Sequence, residues 1–200
     1  MRRWRLIGLL PSLNRVWRRD PPGYQPGATL NRLAHNLQPY ACERLAGSQL
    51  RLTLPQGPTI DIYEQVQSLF LAHIVTHRFR LQGRTRLAEP LVLKVITGGW
   101  LRRNGVIYRT KAHHQGAQRL LALLHQYPQI AATLEQLDFR RVTFTVQQGL
   151  WQLEIEHFAA SEVVSRLPAS RRYLRLEAEQ RRLLLSCFLM FSQLMEKCDE

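Results

Sequence analysis

Lysine is scarce in this chain. It occurs only at Lys94, Lys111 and Lys197, so 25 of the 28 basic residues are arginine. Two readings of that bias stand side by side. One is a compositional preference of the coding genome. The other is recognition of phosphate or carboxylate, which the guanidinium fork binds bidentately. Cysteine is equally sparse. Cys42, Cys187 and Cys198 are odd in number and never spaced C-x-x-C. That excludes a disulfide framework and a thiolate zinc site, and it points to a reducing compartment. Long apolar runs are missing too. The longest, Leu183–Phe191, contains Ser186 and falls well short of the ~20 residues of a membrane span. Acidic residues are nearly absent from residues 65–134, which hold only Glu89 against 10 basic side chains, a net +9. Residues 1–64 carry net +5 and residues 135–200 net −1, giving +13 for the chain. A one-sided positive field favours anionic partners and does not say which.

What is present suffices for a folded core. The 200 residues are 45% hydrophobic, which fits one compact domain without metals or disulfides. The expected organisation is a basic amphipathic arm over residues 1–20 and a single domain over residues 21–200. In the arm, the apolar run Leu6–Leu10 stops at Pro11, with no small-residue cleavage site after it, so secretion is not expected. Arg2, Arg3, Trp4, Arg5 and Trp17 have the composition of a segment lying on an anionic membrane surface. The same composition suits an arm folded on its own domain or wrapped on nucleic acid.

Pro21 to Gly27 reads as a linker. Thr29 is a candidate cap for a helix carrying Leu30, Leu33 and Leu37, kinked by Pro39 and ended by Gly47. From Gln49 the period shifts toward two. Strands are expected over residues 50–54, around Ile60 and Ile62, and over residues 71–81, although Tyr63 to His77 also fits a helical stripe. Leu91 to Thr97 and Val106 to Thr110 flank the hairpin signal Asn104-Gly105. A helix over residues 115–137 should restart at Pro128, followed by strands at residues 142–146 and 151–155. A nearly all-apolar helix over residues 174–195 closes the chain. The fold class predicted is α+β, an antiparallel sheet of about six or seven strands with helices packed on one face. Residues 30–64 and 115–157 are candidates for a distant internal duplication.

Catalytic motifs are missing: there is no G-x-S-x-G, Walker loop, G-x-G-x-x-G or H-E-x-x-H. His73 and His77 share a face, yet no third ligand accompanies them, so neither metal nor cofactor is expected. Glu154 and Glu156 read as a solvated strand face. Two arginine clusters remain. Arg166, Arg171, Arg172 and Arg175 crowd around Ser170, which reads, like Ser161, as a helix cap. A helix start offers free N–H groups and a positive dipole end, so a bound anion would offset the crowding; internal glutamates would do so equally well. The second cluster is the hairpin tip Trp100, Arg102 and Arg103 with Arg78 and Arg80 on a neighbouring strand, a pattern suited to phosphate backbones or to a solvated face.

Three segments carry a resemblance: Pro22 to Leu30, Leu137 to Arg141, and Ala160 to Pro168 with Arg171-Arg172-Tyr173. Together they resemble a family of short proteobacterial proteins of unknown function. That resemblance implies a bacterial cytoplasmic setting and carries over no activity. The leading functional expectation is a non-catalytic binding domain for an anionic partner, nucleic acid or a phosphate-bearing ligand. The alternatives are a protein peripheral to the inner membrane, held by its amino-terminal arm, and a small-ligand protein or enzyme with a pocket between sheet and helices. A protein partner also stays open.

Overall fold

A computed structural model describes residues 20–55, 57–98 and 105–200. The arm residues Arg2, Arg3, Trp4, Arg5 and Trp17, and the tip residues Trp100, Arg102 and Arg103, lie outside the described residues. The chain order is α1 (Ala28–Asn36), β1 (Ala41–Ala46), β2 (Gln49–Thr53), β3 (Thr59–Ser68), β4 (Ala72–Arg84), β5 (Leu91–Thr97) and β6 (Val106–Thr110). It continues with α2 (Gln115–Gln126), α3 (Pro128–Gln136), β7 (Phe139–Gln147), β8 (Leu150–His157), β9 (Ser161–Arg166), β10 (Ala169–Leu174) and α4 (Ala178–Asp199). The fold is α+β, with one antiparallel sheet in the order β1-β2-β3-β4-β8-β7-β5-β6 and a β9–β10 hairpin attached to β4.

The strands number ten among the described residues, not six or seven. Three had no visible alternation. β1 stands where a helix was expected to run on to Gly47; it is an edge strand, exposed along nearly all its length, so backbone pairing to β2 holds it rather than an apolar face. β9 and β10 stand where two helix starts were expected, and β10 too is largely exposed. The four helices are not clearly gathered on one face: α2, α3 and α4 pack on one another, and α1 meets β2. Thr29 does not cap α1. Gly27, at φ 78°, takes the cap position, and the Thr29 hydroxyl turns inward.

Where alternation was legible, it holds. Ile60, Ile62, Val75, Phe79, Leu93, Val142, Phe144, Leu153 and Ile155 are buried, as period two requires. β5 and β6 do form a hairpin, with Thr97 opposite Val106, but residues 98–105 join them, and Asn104 of the expected turn lies outside the described residues. The core is tied to α4 by an aromatic run. Trp151 stacks on Phe144 at 6.0 Å between centroids, and Phe144 on Phe191 at 6.2 Å. Gly83 faces Trp151 across the ladder, and a Cβ there would come within 2.7 Å of the indole. Only glycine lets that ring lie against the β4 backbone.

β4 organises the rest. Of its thirteen residues, His73 to Arg80 pair with β3 along one edge. Along the other edge, Arg78 to Arg84 pair with β8 and Ala72 to Val75 pair with β9. The β8–β9 connection therefore crosses the β4 edge beside His77, and Ala160 bends there at φ 54°.

Candidate functional site

The arginines of residues 166–175 are not at a helix start. Arg166, Arg171 and Arg172 lie on the β9–β10 hairpin and Arg175 directly after it, and α4 begins only at Ala178. Ser170 faces Ser165 in the ladder, and the Ser161 hydroxyl donates to the Phe158 carbonyl at 2.8 Å. The hairpin removes the conflict that a helix would create between these cations and its own dipole. Arg171 is a strut: its Nε lies 3.8 Å from the buried Glu162, and an Nη donates to the Gly23 carbonyl at 3.1 Å. Arg32 from α1 also donates to Glu162, at 2.9 Å. The carboxylate that answers Arg171 is therefore Glu162, not Glu154, Glu156 or Glu179. Arg166, Arg172 and Arg175 remain exposed.

Arg78 and Arg80 sit on the sheet face turned away from Phe79 and Leu81. One row of direct cross-strand neighbours runs over that face through eight strands. It reads Glu43, Arg51, Asp61, Arg80, Glu154, Thr143, Lys94 and Arg109. Opposite charges alternate from Glu43 to Glu154, and two of the neighbouring pairs are bonded. Arg51 grips Asp61 bidentately at 2.7 and 3.1 Å, and Arg80 reaches Glu154 at 3.0 Å while lying 4.5 Å over the Tyr63 ring. In the next row Arg78 contacts Glu154 at 3.3 Å and Glu156 at 3.6 Å, and Arg140 reaches Glu156 at 3.6 Å. Glu154 and Glu156 are thus on the expected face but not solvated; their side chains are 13% and 9% exposed because arginines cover them.

The compensation stops beyond β8. Lys94, Arg109 and Arg141 have no carboxylate within ion-pair distance among the described residues. Two clefts open on this face, of about 820 and 500 Å³, and share Arg140 and Arg141 on their walls. Arg78, Thr76, Gln65 and Glu156 line the larger; Lys94, Thr143 and Gln152 line the smaller. A separate pocket of about 230 Å³ lies between α3 and α4, beside Tyr127 and Lys197.

Sequence reasoning missed the densest polar cluster. Glu64 on β3 faces His77 on β4 in the ladder, and both side chains are fully buried, 3.6 Å apart. Glu64 accepts from Tyr24 Oη and the Gly27 backbone N–H, each at 2.7 Å, and from the Thr29 hydroxyl. His77 Nε2 lies 3.1 Å from Thr29 Oγ1, and Nδ1 donates to the Ala160 carbonyl. Burial alone would push the Glu64 carboxyl up, but the hydrogen bonds from His77, Thr29, Gly27 and Tyr24 bring it down to about 2. Desolvation and the same carboxylate hold the Tyr24 hydroxyl well above the ordinary phenol range. The cluster ties linker, α1, β3, β4 and the β8–β9 connection into one unit.

A family model described as Protein of unknown function (DUF3156) matches residues 35–195. The chain belongs to that family. No curated protein and no solved structure matches it. The resemblance in the sequence is thereby met as to family. Among the described residues no helix is long and apolar enough to cross a membrane, and no group of three or more His, Cys, Asp or Glu side chains could hold a metal.

For this member of the family, His73 adds a pH-dependent feature. It is 1% exposed, and neither ring nitrogen has a hydrogen-bond partner among the described residues; Tyr24 meets it edge-on at 6.3 Å. Desolvation, then Arg171 and Arg166, disfavour its charged form, against a smaller pull from Glu162. Its folded-state affinity for a proton is therefore below the unfolded value near pH ~6.5. Below that pH the unfolded chain binds the proton first, so stability is full above about pH 6.5 and falls as the pH drops toward the folded-state value. His73→Phe should lose less of its melting temperature than the natural protein between pH 7.5 and 5.5. Equal losses in thermal melts would show that His73 titrates freely.

Proposed function

We propose that this domain is a non-catalytic binding module for a phosphate-bearing anionic partner, with nucleic acid the leading version. The partner lies along the outer sheet face over Lys94, Arg109, Arg140 and Arg141. One observation carries the reading. The charge row is neutralised strand by strand from β1 to β8, and its acids then run out while its cations continue. Segments 90–134 and 139–147 contain no acidic residue, so β5, β6 and β7 carry no carboxylate of their own; of the four cations only Arg140 reaches one among the described residues, Glu156 on β8. The Trp100, Arg102 and Arg103 segment joins β5 to β6 and adds an aromatic and two guanidiniums to the same connection in sequence. The reading is non-catalytic because the buried His–Glu pair, His77 with Glu64, has no accessible surface from which to meet a substrate, and the more exposed pair, His114 with Glu89 at 3.0 Å, serves the start of α2, where His114 Nδ1 accepts from the Ala117 backbone N–H. A bacterial cytoplasmic setting, implied by the family resemblance, belongs to this proposal.

The test is binding of a fluorescent oligonucleotide across a salt series. Full engagement of the four cations predicts a log–log slope of about −3 to −4, since each neutralised phosphate adds about 0.9 on duplex and 0.7 on single strands. The triple variant Lys94→Ala, Arg109→Ala, Arg141→Ala should flatten that slope by about 1 for each contact removed and leave the melting temperature nearly unchanged. A slope near zero in the natural protein, or an unaltered slope in the variant, would sink the proposal.

A further inference from the structure

We propose that the paired ends of the β3–β4 and β9–β10 hairpins form a docking tip that inserts into the surface of an anionic lipid bilayer. The tip is separate from the outer-face cations and does not rest on their role. Strand turns are ordinarily built of Gly, Pro, Asn, Asp and Ser. The β3–β4 turn is instead Leu69-Phe70-Leu71, closed by a hydrogen bond from Leu69 N–H to the Ala72 carbonyl at 2.8 Å. Phe70 is 93% exposed, and Leu69 and Leu71 are 45% and 41% exposed. The turn between β9 and β10 carries Leu167, 73% exposed, followed by Pro168. The two turns are neighbours: Ala72 pairs with Ser165, and Arg166 N–H donates to the Leu71 carbonyl at 2.8 Å.

Three observations choose the lipid surface as the occupant. The first is shape. β4 runs past the end of its pairing with β8 by the length of Ala72 to His77, and β9 accompanies that overhang, so the apolar residues crown a projecting end rather than line a groove. The second is area. One aromatic and three leucines, none of them fully exposed except Phe70, fall well below the ~800 Å² per partner of a stable protein interface, whereas a bilayer interface needs only a few inserted side chains. The third is charge. Residues 65–76 and 163–176 contain no acid, and Arg166 and Arg172 stand exposed on the hairpin behind the tip, with Arg175 exposed just past its end. Apolar side chains at the leading end with guanidiniums set behind them match acyl chains beneath phosphate headgroups.

The experiment is co-sedimentation of the full chain with phosphatidylcholine vesicles and with vesicles containing 30% phosphatidylglycerol (about that fraction suffices to make the surface anionic). The natural protein should bind the anionic vesicles and bind the neutral ones at least tenfold more weakly. The double variant Phe70→Ser, Leu167→Ser should lose at least tenfold in partitioning, because each inserted side chain contributes on the order of tenfold or more. Its melting temperature should not fall, since both residues lie outside the core. Arg166→Ala with Arg172→Ala should weaken binding to the anionic vesicles alone. Oligonucleotide binding should survive the serine pair, which separates this proposal from the previous one. Vesicle binding unchanged by the serine pair would overturn the proposal, including the case in which deletion of residues 1–19 abolishes it instead. So would a natural protein that ignores vesicles but dimerises through Phe70 and Leu167.

Discussion

Glu64→Ala is expected to remove about 3–5 kcal/mol of folding stability, because it strands several buried donors at about 1–3 kcal/mol each. The reason is the number of groups it would strand. The carboxylate serves Tyr24, the Gly27 backbone and Thr29, and it faces His77. A hydroxyl has one proton. With the Thr29 proton given to Glu64, Thr29 Oγ1 lies 3.1 Å from His77 Nε2, while Nδ1 donates to the Ala160 carbonyl. Removing the carboxylate breaks this whole sequence of bonds inside the core, and buried donors without acceptors carry their full desolvation cost. Glu64→Gln keeps the shape and one acceptor but turns an amide N–H₂ toward donors, so its cost should fall between the alanine variant and the natural protein. The pH dependence has a definite sign. The folded-state value of about 2 lies below the ordinary carboxylate value, so the contribution is full above roughly pH 4.5 and is lost as pH falls toward 2. Urea melts at pH 7 and pH 3.5 should therefore show the gap between natural and alanine proteins narrowing in acid. Because Gly27 and Tyr24 belong to the segment entering α1, limited proteolysis near residues 20–27 should also accelerate. A cost under about 1 kcal/mol would mean that water replaces the carboxylate and that the network is not what secures this corner.

The history of that cluster shows which parts of the fold were legible. β5, β7 and β8 each bury one face and β6 half-buries one, so their residues alternate. β3 and β4 also alternate in part, but the turn between them is Leu69-Phe70-Leu71, which carries no turn chemistry. Without the turn there was no register, and without register Glu64 and His77, thirteen positions apart, had no reason to be paired. Once the turn is placed, every pair from Ser68 with His73 to Asp61 with Arg80 follows by symmetry about it. The same gap hid the salt bridges. Arg78 and Arg80 were read as one basic face and Glu154 and Glu156 as another, acidic one, although the β4–β8 register sets them directly opposite each other. The β9–β10 hairpin was hidden for another reason. Its strands bury little, so composition alone was left to speak, and Ser before Arg-Arg resembles a helix cap. Hydrophobic periodicity reports burial, and strands held by backbone pairing alone escape it.

The closing helix tests the other half of the architecture. Its apolar residues cover nearly all sides, which predicted a central position, and Leu184, Phe188 and Phe191 are fully buried. Burial also pushes the Cys187 thiol, one residue before Phe188, up to about 12, as befits a group shut in the core. Phe188→Ala should cost about 3–5 kcal/mol, the transfer free energy of the ring together with the cavity left behind. Phe188→Leu, which keeps most of the volume, should cost less than about 1.5 kcal/mol. Leu189 is 36% exposed and adjacent in sequence, so Leu189→Ala should cost only a small part of the Phe188→Ala loss. The comparison of these three variants isolates packing from helix propensity, because alanine is the better helix former at every position. Phe191 rests on Phe144, and Phe144 on Trp151, so a cavity at Phe188 lies one helical turn from the stack that joins α4 to β7 and β8. Trp151 fluorescence should consequently shift in Phe188→Ala even where the protein remains folded, and remain unchanged in Leu189→Ala. A loss below about 1 kcal/mol at Phe188 with no spectral shift would mean that α4 rides on the sheet without anchoring it.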